Sequence, residues 1–203
     1  DFRSPLTGII GACSALEGSG VTLDEKAKRE LIDSIGEEAA WLLRMVENLL
    51  SVTRVGPSGP DLKKSLEPVE EVIGEAIERA HKRFPRAELH AQQPDELIMI
   101  PMDPMMIVQV LMNLIENAAR YSGEEGRIDI IVRDGENDVT FYVRDYGRGL
   151  SEDKLGTLFK PAAAKTGDSR HGMGLGLSIC RSVIRAHGGE IEGGNSEDGG
   201  AVF

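Results

Sequence analysis

Four polar residues, Asn113, Glu116, Asn117 and Arg120, recur inside an otherwise apolar run. If that run is helical, with about 3.6 residues per turn, they share an arc of roughly 100°, opposite Leu111, Leu114, Ile115 and Ala118. Two amides, a carboxylate and a guanidinium on one stripe supply hard oxygen ligands for Mg²⁺ and a charged fork for phosphate oxygens. The same spacing also suits a solvated helix face with Glu116 and Arg120 as an i,i+4 pair. A second group, Asp145-Tyr146-Gly147-Arg148-Gly149, sets a carboxylate beside glycines that let a backbone approach a ligand closely. An ionised Asp145 there is suited to accept the exocyclic amino hydrogen of adenine, and a simple turn aspartate is the plainer alternative. The third group, Gly172-Met173-Gly174-Leu175-Gly176-Leu177, opens an amphipathic segment. Bare amides at the positive end of a helix there would face an anion such as a triphosphate, the alternative being a flexible glycine loop. Its spacing is not G-x-G-x-x-G, no strand feeds it, and Lys165-Thr166 lacks the upstream glycine of a P-loop.

These groups need elements to hold them. Asp103 and Pro104 are N-cap and first-turn signals for a helix over 103–121 that carries the polar stripe. Alternation at Ile128, Ile130, Val132 and again at Val139, Phe141, Val143, around a turn at Asp134–Asn137, predicts a β-hairpin that delivers Asp145. A last helix is expected over Leu175–His187, stopped by Gly188-Gly189 before a strand at Glu190–Glu192. Further helix is expected over Pro68–Phe84 and a buried strand over Leu97–Pro101.

The N-terminal part reads differently. Pro5–Leu16 is helix-compatible, with Pro5 expected to bend it, and Gly18-Ser19-Gly20 breaks it. Thr22 with Glu25 matches a capping box for a long helix whose apolar stripe includes Leu31, Ile35, Leu42, Met45, Leu49 and Val52. One such hairpin cannot cover its own stripe, so a homodimer forming a four-helix bundle is expected. Val55–Pro60 has linker composition, giving domains at 1–56 and 57–203. The fold class is α+β: an N-terminal helical hairpin, then a two-layer sandwich with helices on one face of a sheet.

The 203 residues carry a formal net charge of −11, which disfavours a nucleic-acid-binding surface and makes any phosphate site a local one. Two cysteines, Cys13 and Cys180, lie far apart in apolar contexts, against a disulfide framework or zinc site and in keeping with a reducing compartment. No apolar run reaches the roughly 18 residues that span a bilayer. The chain opens at Asp1 without methionine and stops inside a strand-like segment at Phe203, so it reads as a piece of a longer protein, with any membrane or sensing region upstream.

Taken in order, the motifs resemble those of the sensor histidine kinases. Asn113-Leu-Ile-Glu116-Asn117-Ala-Ala-Arg120-Tyr121 is similar to the family's N box, Asp145-Tyr-Gly147-Arg-Gly149 to its first glycine box, Leu158-Phe159-Lys160-Pro161 to its F box, and Gly172–Leu177 to its second glycine box. Asp1-Phe2-Arg3-Ser4-Pro5 and Gly199-Gly200-Ala201-Val202-Phe203 bring it nearest the potassium-responsive members. The resemblance implies a gyrase-type ATP-binding domain that uses ATP and Mg²⁺, a homodimer, and a response-regulator receiver domain as partner, in the cytoplasmic part of an inner-membrane sensor. It implies that Asn117 ligates Mg²⁺, Glu116 acts as a base or organises the metal, Arg120 contacts phosphate, and Tyr121 forms a stacking wall. Asp145 would read adenine, with Asn113, Gly147, Gly149, Leu150, Phe159, Lys160, Ala201 and Gly172, Met173, Gly174, Leu175, Gly176, Leu177 around the nucleotide. Phe159–His171 corresponds to the family's lid, with Lys165 a further phosphate contact.

In that family the phosphoacceptor histidine immediately precedes the acidic residue occupied here by Asp1, and it is absent from this sequence. Asp1 would then take a proton from one imidazole nitrogen of that upstream histidine while the other attacks the γ-phosphate. Ser4 stands where relatives carry threonine or asparagine, a position tied to dephosphorylation of the partner. His81, His90, His171 and His187 are expected at surface or capping positions. Competing readings are an ATP-binding pseudokinase or scaffold, an ATPase or serine kinase of the same superfamily, and a purely structural dimer.

Overall fold

A computed structural model describes residues 3–18, 23–56, 59–60, 62–123, 125–159 and 175–203, and it divides after Arg54 into two compact units. The first is a hairpin of α1 (Arg3–Glu17) and α2 (Glu25–Arg54). Helix α1 continues through Pro5, which sits in its first turn, where a missing N–H costs no helical bond. At the start of α2 Asp24 Oδ1 accepts from Ala27 N at 2.7 Å, so the short carboxylate satisfies a free first-turn amide. Thr22 lies outside the described residues. Among the described residues of this hairpin only Pro5 and Ala12 are buried, while Leu6, Ile10, Ile32 and Leu43 are exposed.

The second unit opens on a ribbon of β1 (Val55–Gly56) and β2 (Gly59–Pro60), where the composition suggested only a linker. β3 (Ser65–Pro68) pairs antiparallel with β5 (Met99–Met102), and α3 (Val69–Arg83) follows β3. The strand expected to be buried over 97–101 is thus half of a two-stranded ribbon: Leu97 and Met99 face solvent and only Met102 is fully buried. The main sheet runs β4 (Glu88–Gln92), β6 (Arg127–Asp134), β7 (Val139–Asp145), β9 (Ala201–Val202), β8 (Gly194–Asn195). β4 and β6 are parallel, with α4 (Pro104–Ser122) in the crossover that such pairing requires, and the other neighbours are antiparallel. The remaining helices are α5 (Glu152–Leu155) and α6 (Leu175–His187).

Alternation decides the layers. Ile128, Ile130, Val132 and Val143 point to one face and are buried with Val72, Ile73, Val108, Leu111, Ile115, Ile179 and Val183 from α3, α4 and α6. That is the expected α+β sandwich. Helix α4 starts as the sequence implied, with Asp103 Oδ1 accepting from Met106 N at 3.2 Å and Pro104 next. His187 Nε2 accepts from the Asp103 backbone N–H at 3.0 Å, which ties the end of α6 to the start of α4. Helix α6 ends in a Schellman turn: Gly188 has φ +89, Gly189 N donates to Ile184 O and Gly188 N to Arg185 O. The strand expected at Glu190–Glu192 does not form, because pairing with β9 starts at Gly194.

Candidate functional site

Helix α4 buries Leu111, Leu114, Ile115 and Ala118 and turns Asn113, Glu116 and Asn117, each partly buried, away from them; Arg120 is exposed. Glu116 is not simply half of a solvated pair. Its Oε1 lies 2.5 Å from Nη1 of Arg83, at the end of α3, so the ion pair joins two helices. The Asn113 Nδ2 is buried with no hydrogen bond of normal geometry among the described residues, and its side chain lies beside the Cys180 thiol. Across from it is Gly176, in the first turn of α6, where an added Cβ would stand 3.9 Å from Asn113 Cγ. Deeper in the same seam Cys180 is fully buried, and burial pushes its thiol up to about 12; the nearby Asn113 side chain opposes that rise.

Asp145 ends β7 and is 2% exposed, so its carboxylate needs fixed donors. Oδ1 receives two: Gly147 N at 2.9 Å and Ala201 N at 3.2 Å. The glycines around it answer to space. A Cβ on Gly147 would overlap the carbonyl of Tyr121, and one on Gly200, at φ +78, would overlap the carbonyl of Asp145 itself. Gly149 has φ +70, in the left-handed region. Tyr121 is 37% exposed, and the Arg148 guanidinium lies 5.6 Å over its ring. At the end of the last strand, Phe203 meets Phe159 edge-on, centroids 6.5 Å apart.

In the second unit Asn113, Glu116, Asn117, Arg120 and Tyr121 lie on α4, Asp145 ends β7 with Gly147–Leu150 in the loop after it, Phe159 follows α5, Ala201 lies on β9 and Leu175-Gly176-Leu177 open α6; direct approaches join Gly147 to Tyr121, Asp145 to Ala201 and Gly176 to Asn113. Ser4 lies in the first unit, on α1. Asp1, Lys160, Lys165, His171, Gly172, Met173 and Gly174 lie outside the described residues, as does most of the expected lid. Two contributors went unnoticed in the sequence. Arg83 sits in a helical run of charges that reads as solvated surface. Asn195 donates to Leu150 O at 2.8 Å and accepts from Leu150 N at 2.6 Å, and its only sequence signal is a place before a Gly-Gly turn.

On the sheet's other face a polar cluster adjoins this loop. Asp129 takes a bidentate bond from Arg127, at 2.7 and 3.1 Å, and one from the Tyr146 hydroxyl at 2.6 Å. Burial alone would raise the Asp129 carboxyl, but those bonds outweigh it and hold it below the usual range. The Arg127 and Arg144 guanidiniums lie against the Tyr146 ring at 5.2 and 4.5 Å.

The loop after β7 thus holds a buried carboxylate acceptor, Asp145, between two glycines, Gly147 and Gly200, packed directly on backbone carbonyls, while α4 holds the buried amide of Asn113. Comparison with known proteins identifies the family. Residues 102–203 match the family described as histidine kinase-, DNA gyrase B- and HSP90-like ATPases, and residues 1–58 match the His Kinase A (phospho-acceptor) domain. The chain belongs to the sensor histidine kinase family. Among its relatives is the sensor protein KdpD of Clostridium acetobutylicum, 44% identical over 206 residues, a match covering 100% of this chain and 23% of that protein. The chain thus spans less than a quarter of that relative's length. Histidine kinase ThkA, solved in complex with the response regulator protein TrrA, superposes with a TM-score of 0.73 at 25% identity, covering 100% of this chain and 57% of that one. Full-length ShkA in complex with AMPPNP gives 0.70 at 26% identity, covering 100% and 42%. No helix among the described residues is long and apolar enough to cross a membrane.

Proposed function

We propose that this chain is the cytoplasmic kinase end of a membrane-anchored potassium-responsive sensor. It binds ATP, phosphorylates a histidine just upstream of Asp1, and passes the phosphoryl group to an aspartate of a response-regulator receiver domain. The observation that carries the proposal is Asp145, a buried carboxylate whose Oδ1 is held by two backbone amides beside glycines that admit no side chain. Such an acceptor is preorganised for the exocyclic amine of adenine. The ShkA complex with AMPPNP and the ThkA complex with TrrA support the nucleotide and the partner.

In this reading Gly147, Gly149 and Leu150 line the base, and Tyr121 walls it. Arg120, Lys160 and the Gly172–Leu177 amides at the head of α6 neutralise phosphate charge. Asn117 is the residue to hold Mg²⁺, which when bound would neutralise phosphate charge. Glu116, its charge compensated by Arg83, suits an organising role better than proton abstraction. Asp1 accepts one imidazole proton while the opposite nitrogen attacks the γ-phosphorus and ADP departs. Ser4 stands at the position that, by resemblance, orients water for dephosphorylation of the partner. The exposed Leu6, Ile10, Ile32 and Leu43 of the hairpin support a homodimer through a four-helix bundle.

The test is calorimetry with AMPPNP, with and without Mg²⁺, on this chain and on one extended upstream through the histidine, followed by an assay for acid-labile phosphate. Binding by both with phosphate only on the extended form is the expected result. Asp145→Asn should weaken binding about tenfold or more, the worth of a charged hydrogen bond. Binding without any phosphate would leave a nucleotide-dependent scaffold, and no binding by either would overturn the proposal.

A further inference from the structure

The Asp145 carboxylate is held partly from outside its own loop. Ala201 N, on β9, donates to its Oδ1, and Gly200 packs so closely on its carbonyl that no Cβ fits. The β8–β9 hairpin makes a second attachment further along the same loop. From β8, the Asn195 amide bonds both polar groups of one peptide residue, accepting from Leu150 N at 2.6 Å and donating to Leu150 O at 2.8 Å. A side-chain amide carries a donating NH2 and an accepting oxygen in fixed relation, so it pairs with Leu150 as a neighbouring strand would. Only an amide of this length does both. The fit is tight on the loop side as well, since a Cβ on Gly149 would lie 2.8 Å from Asn195 Oδ1. Between the two attachments runs Asp145–Leu150: Tyr146 is held by its hydroxyl bond to Asp129, Gly147 is wedged against the Tyr121 carbonyl, and the Arg148 guanidinium lies over the Tyr121 ring, which leaves Asn195 as the side chain that grips the far end at Leu150.

We propose that Asn195 is a positioning residue for adenine recognition: by gripping Leu150 it fixes the loop after β7 in the register that presents the Asp145 carboxylate to the base. The inference rests on the reading of Asp145 as the adenine-reading group. Asn195 itself touches no nucleotide. Its effect is therefore on selectivity for the amino group rather than on phosphate affinity.

The experiment compares ATP with purine riboside triphosphate, which lacks the exocyclic amine, by calorimetry on the chain, on Asn195→Ala and on Asn195→Asp, with thermal melting of each in the absence of nucleotide. The parent chain is expected to prefer ATP about tenfold or more. Asn195→Ala should cut that preference to about threefold or less. Asn195→Asp, which keeps the acceptor and loses the donor, should fall between. A parent that binds both nucleotides equally overturns the role of Asp145 itself. A parent that discriminates, with both variants keeping its ratio and showing only lower melting temperatures, leaves Asp145 standing and overturns the positioning role. If Asn195→Ala does not melt cooperatively, the Asn195→Asp ratio decides alone.

Discussion

Among the described residues of the helical hairpin, burial reaches only Pro5 and Ala12, whereas the α+β unit closes completely over Val108, Ile115, Ile128 and Ile130. The hairpin has apolar residues enough; Ile10, Ile32 and Leu43 are each about as exposed as a surface lysine would be, at 64%, 58% and 60%. What it lacks is a second layer. A helix pair has one seam, and residues off that seam need another surface, while a sheet carrying three helices covers both layers of its core from within one chain. The unit with a finished core is the one that holds the buried Asp145 and the buried Asn113 amide. Fixing such groups requires surroundings that do not depend on a partner.

The contrast can be broken or sharpened by experiment. Ile115→Ala should remove about 2–5 kcal/mol from the α+β unit, read from urea unfolding, and leave self-association of the chain unchanged. Ile32→Asp or Leu43→Asp should do the reverse: sedimentation should show association weakened about tenfold or more, with urea unfolding of the α+β unit within about 0.5 kcal/mol of the parent. If association is unmoved by both, the exposed stripe is not the dimer face. The cysteines offer a finer comparison. Native labelling with iodoacetamide should reach half-buried Cys13 and spare Cys180, whose thiol is fully buried and raised to about 12, until the α+β unit opens. The smallest effect concerns acid. Because Asp129 titrates below its ordinary value of 3.8 in the fold, its contribution to stability is complete above that value and is lost as pH falls through the lowered one. Asp129→Asn should flatten this acid limb in urea titrations, modestly, since Arg127 is half-exposed and well screened.

Local signals in the sequence located much of this. The Asp103-Pro104 start of α4 and the Gly188-Gly189 stop of α6 are written within a few residues, so both helices could be read directly. Asp24 caps α2 although Thr22 is an equally good cap by residue type, and residue type alone does not mark the first helical turn. Strand β4, with mostly exposed side chains, and β8 and β9, each only two residues long, have no periodicity to read. Their pairing is set by partners far away in the chain, which is also why Glu190–Glu192 looked more strand-like than Gly194–Asn195. The same holds for the site. Asp145 and the α4 stripe stand out by residue type and spacing, but Arg83 and Asn195 act across tertiary contacts that nothing nearby announces.

The contact between Gly147 and the Tyr121 carbonyl also bears on how this sequence can drift. Most positions around a binding loop tolerate a ladder of small steps, from glycine to alanine to serine, along which a lineage can wander. At position 147 the first rung is already occupied by the backbone of α4. A saturation library selected for nucleotide binding should therefore return glycine alone there, with variation crowding into its neighbours Tyr146 and Arg148, whose side chains are exposed. The loop would then evolve around one fixed residue.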